Sequence, residues 1–313
     1  MASVAGPSIC LSPMELARHP ASTGLRVAGD DLPPALRPYV REIYEERFEM
    51  PEAGAPLPLS AHVDPFLHVT FSGGMTVRLD ALGIPPFRLP TSTISGPLAD
   101  TYTGTFHGLV HGFYVRFAPV GPLALLGVRD YGLGPRGAPA LGEMVRPDLR
   151  EHVHAWEQEL RSAPDFAARA ALAERFLLDR VATPTPEVAL LLHAAGEIER
   201  AAGAVRVSDL AERLGVSGAT LRRRFAVLGL SPKTFAAVVR FQNAHAFLFT
   251  TPGATWADAV ERFGYADQAH LVREHRRFAG VPPTRWNRDV RLVDRRMGAE
   301  GVYDGPVADR LPA

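Results

Sequence analysis

Side chains that could bond to DNA bases cluster at two places near the C-terminus. Arg222, Arg223 and Arg224 follow a short motif at residues 207–217, and Gln268 and Arg273 close a second one about 50 residues later. Arg can donate two hydrogen bonds to guanine and Gln can bond twice to adenine, each pair giving about 1–3 kcal/mol of discrimination. The spacing favours a protein that enters successive turns of the major groove.

A helix-turn-helix pattern is predicted to hold the first cluster. Ser208 is placed to cap the first helix, and Gly215 to end it with a left-handed residue. Ser217 can cap the next helix, in which Leu221 and Phe225, four residues apart, form a buried face. The three arginines must then spread over the remaining circumference.

The second cluster has similar support. Ser231 and Pro232 open a long helix that is predicted to reach about residue 249 and to join two modules. Thr255 and Asp258 have the spacing of a capping box, and Asp267 begins the following helix. A second helix-turn-helix unit is therefore expected.

Charge is unevenly distributed in a chain whose net charge is zero. Residues 187–291 carry 15 Arg or Lys and 10 Asp or Glu, which leaves 19 basic and 24 acidic residues elsewhere. The positive excess of the C-terminal third suits a polyanionic partner.

The first half of the chain has a strand pattern. Short apolar runs at 66–71, 75–79 and 112–117 are separated by Gly and Pro, which is typical of β structure. Alternation puts Phe113, Val115 and Phe117 on one face of the last run. The fold class predicted is α+β, with a mostly β sandwich or barrel first and an all-α domain last.

Residues 187–289 resemble the DNA-binding domain of the AraC/XylS family of bacterial transcription regulators. The resemblance rests on fixed spacings over about 100 residues. They are LeuAlaGluArgLeuGlyValSer at 210–217, LeuArgArgArgPhe at 221–225, GlyLeuSerProLys at 229–233, Arg240, Phe241 and Ala244, GlyTyrAlaAspGln at 264–268, and GlyValProPro at 280–283.

The resemblance implies a set of DNA contacts. Its base-reading positions fall on Ala219, Arg222, Arg223, Gln268, Ala269, Val272 and Arg273. The apolar members of this set could meet only a thymine methyl group. Phosphate contacts, which hold register without reading sequence, are expected from Arg224, Lys233, Arg240, Arg276 and Arg277.

The chain departs from the family pattern in its second unit. His275 stands where the family usually has an aromatic residue, and Ala279 is smaller than usual. Ala259 and Val260 replace a larger residue followed by Ala, an exchange that conserves volume. Looser packing or weaker DNA contact of the second unit is a consequence to test.

The N-terminal half resembles, less specifically, the sensor domain of some AraC-type regulators. The resemblance implies a cupin-like β domain that senses a ligand, forms a dimer, or both. The segments predicted are a flexible N-terminus at 1–35, an effector or dimerisation domain at 36–150, a helical connector at 151–186, the DNA-binding domain at 187–290 and a flexible tail at 291–313.

Neither a metal site nor catalysis is predicted. His62, His68, His107 and His111 lack the spacing of a metal-binding cupin and are interpreted as ordinary packed or surface histidines. Cys10 is the only cysteine and lies outside any motif of a reactive thiol. No catalytic residue and no cofactor is assigned. An alternative stays open, in which a ligand-binding protein or enzyme carries a vestigial helix-turn-helix domain.

Composition indicates where the protein acts. No apolar run approaches the roughly 18–20 residues that span a bilayer, and no signal-like segment opens the chain. A single cysteine agrees with a reducing compartment. We expect a cytoplasmic protein whose partners are promoter or operator DNA, a small-molecule effector, a second copy of the chain, and RNA polymerase if it activates transcription.

Overall fold

The computed structural model describes residues 25–50, 54–79, 83–132, 137–251 and 253–283. Within them, β-strands occupy the first part of the chain and helices follow. The predicted order of a mostly β region and a helical region is confirmed.

The strands belong to two antiparallel sheets, with orders β1-β2-β9-β4-β7 and β3-β8-β5-β6. Their bounds are β1 (Leu25–Ala28), β2 (Val40–Glu49), β3 (Ala55–Leu59), β4 (Phe66–Ser72), β5 (Met75–Arg78), β6 (Phe87–Arg88), β7 (Ser92–Ser95), β8 (Tyr102–Phe106) and β9 (Leu109–Phe117).

Strand β9 shows the alternation predicted from its sequence. Phe113, Val115 and Phe117 have no exposed surface and pack in a core on the outer side of the five-stranded sheet. Tyr114 and Arg116 point the other way, and Tyr114 lines a cavity between the two sheets. One face of β9 thus supports the fold while the other faces the interior of the β domain.

Two helices cover the outer face of the five-stranded sheet. After the short helices α1 (Gly121–Leu126) and α2 (Leu141–Met144) come α3 (Arg150–Ser162) and α4 (Phe166–Leu178). The rings of Trp156 and Phe176 stack 4.7 Å apart, and the Phe166 ring lies 6.4 Å from that of Phe113. The segment predicted as a connector at 151–186 is therefore largely part of the N-terminal core, because its apolar residues face the sheet.

Order also begins earlier in the chain than the predicted boundary at residue 35. Strand β1 pairs with β2 from Leu25 opposite Glu45 to Ala28 opposite Glu42. Leu32, just beyond β1, is 2% exposed. The sequence does not predict this edge strand, since four residues are too few to show an alternating pattern. The Gly and Pro residues around it also favour an irregular segment. The remainder of that segment, with Cys10, and the tail at 291–313 lie outside the described residues.

Six helices form the C-terminal part of the described chain. They are α5 (Pro186–Arg200), α6 (Val207–Arg213), α7 (Gly218–Phe225), α8 (Pro232–Thr250), α9 (Trp256–Phe263) and α10 (Gln268–Ala279). The long helix predicted between the two modules is α8.

Most of the predicted caps are confirmed. The hydroxyls of Ser217, Ser231 and Thr255 each accept a bond from the backbone N–H three residues on. Ser208 is the exception: α6 already begins at Val207, and the Ser208 hydroxyl donates to Asp209. The N-cap of α6 is Arg206, two residues before Ser208, and the Arg206 side chain makes no cap hydrogen bond. No capping side chain therefore marks the start of this helix in the sequence.

The two parts of the chain share one apolar cluster. It joins residues between the sheets, such as Phe48 and Phe106, to helix residues that include Leu210, Leu221 and Phe225. Packing of the first helix-turn-helix unit is thereby continuous with the β domain.

Candidate nucleic-acid interface

Helix α7 is fixed against its neighbours by two side chains. Leu221 and Phe225 have no exposed surface, and the Phe225 ring meets that of Phe235 on α8 edge-on, 5.4 Å away. Gly215 makes the turn before α7 with φ of +65°, a conformation that costs glycine little. The rotation of α7 about its axis is thus determined by its buried side.

That rotation turns the predicted reading residues outward. Ala219, Arg222 and Arg223 are all exposed. Among the described residues, neither guanidinium takes part in an ion pair or hydrogen bond. Two exposed guanidinium groups on the solvent side of a capped helix form a donor surface that a polyanion can reach.

The flanks of the first unit carry two further cations. Lys233 is exposed in the first turn of α8. Arg224 lies on the side of α7, half-buried, with its guanidinium 3.5 Å from a Glu187 carboxylate oxygen. At that distance the ion pair leaves most of the Arg224 donors available.

The second unit has its own small core. Trp256, Phe263, Tyr265 and Leu271 pack with Leu248 of α8. Helix α9 begins with the predicted Thr255–Asp258 capping box, and the Asp267 carboxylate accepts from the His270 N–H at 2.6 Å to start α10.

Helix α10 presents most of its predicted contact residues to solvent. Gln268, Ala269 and Arg273 are exposed, and Val272 is half-buried. Arg276 and Arg277 are exposed further along the helix. The structure thus brings the second set of predicted residues onto one short helix whose opposite side is buried.

Arg240 differs from the other predicted phosphate contacts. Its guanidinium pairs with Glu274 on α10 at 2.5 Å and lies 4.9 Å from the centre of the Tyr265 ring. Burial lowers the pKa of Arg240, but the hydrogen bond and the charge of Glu274 outweigh it, so that the pKa is raised. Arg240 therefore braces α8 against α10, and it could reach a phosphate only if this pair opened.

His275, the residue that departs from the family pattern, is 2% exposed. Its Nδ1 lies 2.8 Å from the Val281 carbonyl and its Nε2 lies 3.2 Å from Nδ1 of His245. Because a carbonyl only accepts, Nδ1 of His275 must donate to it, and Nε2 then accepts from His245. Burial, and next the neighbouring His245, lower the pKa of His275 to about 3.

The second unit packs tightly around the His245–His275 pair. Ala259 and Ala279 have no exposed surface, and the Phe241 ring lies 5.5 Å from that of His275. A hydrogen-bonded imidazole pair takes the place of the usual aromatic residue.

The other histidines singled out from the sequence are dispersed over the β domain. His62 and His68 are buried and bond to backbone carbonyls, while His111 pairs with Glu45 at 2.8 Å. His107 is half-buried between β8 and β9. In the part of the chain that the structure describes, no three His, Cys, Asp or Glu side chains are grouped as a metal would require.

A sequence profile described as a helix-turn-helix domain matches residues 210–289. No curated protein gives a significant match to the chain. No helix among the described residues is both long and apolar enough to cross a membrane.

Several solved structures are similar to the chain. ToxT from Vibrio cholerae O395 is 10% identical, with a TM-score of 0.44 over 77% of this chain and 95% of that one. Unsaturated fatty acid bound wild-type ToxT from Vibrio cholerae strain SCE256 is 9% identical, with a TM-score of 0.44 over 78% and 94%. The AraC-like transcriptional activator CuxR is 14% identical, with a TM-score of 0.28 over 77% and 99%.

The profile match and the two capped helix pairs with outward cations define a helix-turn-helix protein that binds DNA. The matched domain is of the AraC type, as its spacings indicated, and the chain is a DNA-binding transcription regulator.

No pattern in the sequence singles out Glu46, which the structure makes a functional candidate. Glu46 lies on β2 close to Glu42 and Glu45. With so many glutamates, the sequence of this strand does not predict a buried face. The signal lies in the alternate residues Tyr44, Glu46 and Phe48, which share the face toward the inter-sheet cavity.

Proposed function

We propose that the chain reads a specific DNA site through both of its helix-turn-helix units. Arg222, Arg223, Gln268 and Arg273 make the polar base contacts. Ala219, Ala269 and Val272 line the same helices and meet thymine methyl groups or exclude mismatched bases. The observation that supports this most is the exposure of Arg222 and Arg223 on a helix whose other side is fully buried.

Phosphate contacts surround these reading positions. Lys233, Arg276 and Arg277 are exposed beside the two reading helices and would fix their register on the backbone. Arg224 adds a contact if its weak pair with Glu187 gives way. Arg240 contributes chiefly by holding α8 and α10 together through Glu274.

We propose further that a small molecule bound in the N-terminal domain modulates DNA binding. The inter-sheet cavity is lined mainly by apolar and aromatic side chains with a few polar groups, as small-molecule sites usually are. One of its walls leads to the second unit, since Leu59 lines the cavity and the Ala61 N–H donates to the Phe278 carbonyl at 2.8 Å.

The remaining partners follow from this role. A homodimer would double the DNA site and raise affinity through effective concentration. RNA polymerase is a partner if the protein activates. We place its action in the bacterial cytoplasm, where its DNA lies, and we assign it no catalytic activity.

Fluorescence anisotropy tests this function directly. Full-length protein is titrated against duplex DNA from its own upstream region and against a scrambled duplex across a salt series. We expect a preference of at least roughly 10³ that weakens as salt rises. Binding to neither duplex at low salt would contradict the proposal and favour a ligand-binding protein with a vestigial helix-turn-helix domain.

A matched pair of variants locates the contact surface. Arg223→Ala removes an exposed guanidinium from α7, whereas Arg150→Ala removes one from the start of α3, in the N-terminal domain. Only the first is expected to weaken specific binding, and equal effects would exclude α7 as the reading helix.

A further inference from the structure

The inter-sheet cavity contains a buried carboxyl group that lacks a complete set of partners. Glu46 is 4% exposed and lines the cavity. Its Oε1 accepts no hydrogen bond from any described residue. Leaving a buried polar atom unsatisfied costs about 1–3 kcal/mol, so such an atom in a cavity wall points to a ligand that supplies the missing donor.

The register of the sheet explains why Oε1 of Glu46 has no hydrogen-bond donor, although Arg26 lies near enough to oppose the rise of the Glu46 pKa. The neighbouring Glu42 is the residue that meets the cations, with Arg26 at 3.3 Å and Arg116 at 3.2 Å. Opposite Glu46 on β9 stands Gly112, which offers no side chain. The cavity that Glu46 lines is therefore where a donor for its Oε1 can enter.

Aromatic faces stand beside this carboxyl. The rings of Tyr44 and Tyr114 stack 4.9 Å apart in the cavity wall, and the Tyr114 hydroxyl lies over Gly112. The facing sides of the two rings cover each other and Arg26 lies 5.8 Å over the Tyr44 ring, so the Tyr114 hydroxyl oxygen is the group that can accept a bond from an incoming cation. The rest of the wall is mainly apolar and includes Leu59, Phe106 and Val110.

The ionisation of the cavity agrees with an approaching cation. Burial raises the pKa of Glu46 to about 8, with Arg26 opposing the rise and Glu42 adding to it. Burial also lowers the pKa of His68, in the same wall, to about 4. At neutral pH the inner wall is thus mostly uncharged, and Glu46 ionises when a positive group arrives.

We propose that the inter-sheet cavity binds a hydrophobic amine whose ammonium group pairs with Glu46 beside the Tyr114 hydroxyl. This rests on the proposed function of the N-terminal domain as a ligand sensor, and it names the chemical class of the ligand. An ammonium supplies three donors, enough for Oε1 and a further acceptor nearby.

Arg88 is the group that would favour a different ligand. It is exposed at the rim and donates to the Gly73 carbonyl at 2.9 Å. A hydrophobic carboxylate would seek this guanidinium and leave Glu46 unused. The two ligand classes therefore depend on different residues of the cavity wall.

Three probes of one skeleton distinguish these outcomes by isothermal titration calorimetry on full-length protein. They are 2-phenylethylamine, 2-phenylethanol and 3-phenylpropanoate. We expect the amine to bind at least about tenfold more tightly than either other probe. Tighter binding of the carboxylate, lost in Arg88→Gln, would overturn the proposal, and so would the absence of amine binding at millimolar concentration.

Proton release on amine binding tests the pairing with Glu46, because a purely structural role of Glu46 would release no proton. Titrations at pH 7 in buffers of different ionisation enthalpy should show up to about one proton released per amine bound, since Glu46 loses its proton to the buffer. The other titratable or charged groups that face it are Arg26, Glu42, Tyr44, Tyr114 and His68. Absence of release would contradict pairing with Glu46.

Two variants of the same strand complete the test. Glu46→Gln keeps the shape and should abolish both the amine preference and the proton release, while Glu49→Gln, exposed at the end of β2, should leave both unchanged. DNA anisotropy on the same samples reports the regulator function separately. Retained DNA binding with no amine preference would reject the ligand class alone.

Discussion

At the scale of single residues, exposed cations of similar charge are expected to play different roles. Arg223 stands on α7, the helix proposed to read DNA, and Lys233 stands in the first turn of α8. Bidentate contact with a base edge carries sequence information, whereas contact with a phosphate carries none.

Arg223→Ala and Lys233→Ala therefore separate the two kinds of contact. We expect Arg223→Ala to cost about 1–3 kcal/mol on the specific site and to relax the preference at one base pair. Lys233→Ala should weaken all duplexes about equally and reduce the salt slope by about one. Anisotropy on the native site and on single-base variants checks both. Sequence-independent loss in Arg223→Ala would reassign it to the phosphate set.

Glu46 also predicts how stability depends on pH. A carboxyl whose pKa rises to about 8 on folding binds more protons in the folded state, so stability is lost as pH rises toward 8. Between pH 6.5 and 8 the wild type should lose about 1–2 kcal/mol relative to Glu46→Gln. Urea unfolding of both proteins measures the difference, and parallel curves would place the Glu46 pKa near its ordinary value.

His275 gives the opposite dependence. Its pKa falls to about 3 on folding, so the folded state binds fewer protons and stability is lost as pH falls below the unfolded value of about 6.5. His275→Asn can still donate to Val281 but does not titrate. Wild type should therefore lose stability relative to this variant from pH 6 to pH 4, although the variant starts lower because it leaves a cavity. A constant difference would reject a buried neutral imidazole.

At the scale of elements, the close approach of α5 and α8 depends on one glycine. Gly203 has φ of +80°, and a Cβ there would stand 2.2 Å from the Ala236 carbonyl oxygen. Gly203→Ala should cost roughly 2–4 kcal/mol through backbone strain and overpacking. Gly215→Ala is the control, because φ is +65° but nothing lies within 4 Å, and it should cost only about 1–2 kcal/mol. Equal losses in denaturant unfolding would contradict this packing.

Local sequence carried much information about these elements. Capping residues such as Ser217, Ser231 and Thr255 act within one helical turn, so their spacing predicts them directly. Pairings between residues that are far apart in the sequence have no such local spacing from which to predict them. The bond of Arg240 to Glu274 joins residues 34 positions apart, and the Oε1 of Glu46 lacks a partner across the sheet because Gly112 stands opposite it. Both follow from the register and packing of the fold.

At the scale of the whole molecule, specific contacts join the N-terminal β domain to the helices. The Arg41 guanidinium on β2 lies 2.6 Å from the Glu199 carboxylate on α5. The Ala61 N–H donates to the C-terminal end of α10, which fills one of the carbonyl acceptors that a helix end leaves open. A ligand that shifts the strands near Leu59 could therefore alter α10.

Arg41→Ala tests this connection. We expect it to destabilise the docking of the helical domain by about 1–2 kcal/mol, because a charge-assisted hydrogen bond is lost and Glu199 is left half-buried. Limited proteolysis should then cut faster between α4 and α5, whereas Arg150→Ala should not change the cleavage rate. Unchanged cleavage in Arg41→Ala would show that the apolar cluster alone holds the domains.

Selection of binding sites from a library of random duplexes tests the central claim most directly. If both units read DNA, the enriched sequences should contain two short elements centred about 10–10.5 base pairs apart. The double variant Arg222→Ala, Arg223→Ala should no longer enrich one of these two DNA elements and should still enrich the other. Absence of any enriched sequence at low salt would contradict sequence-specific recognition by this protein.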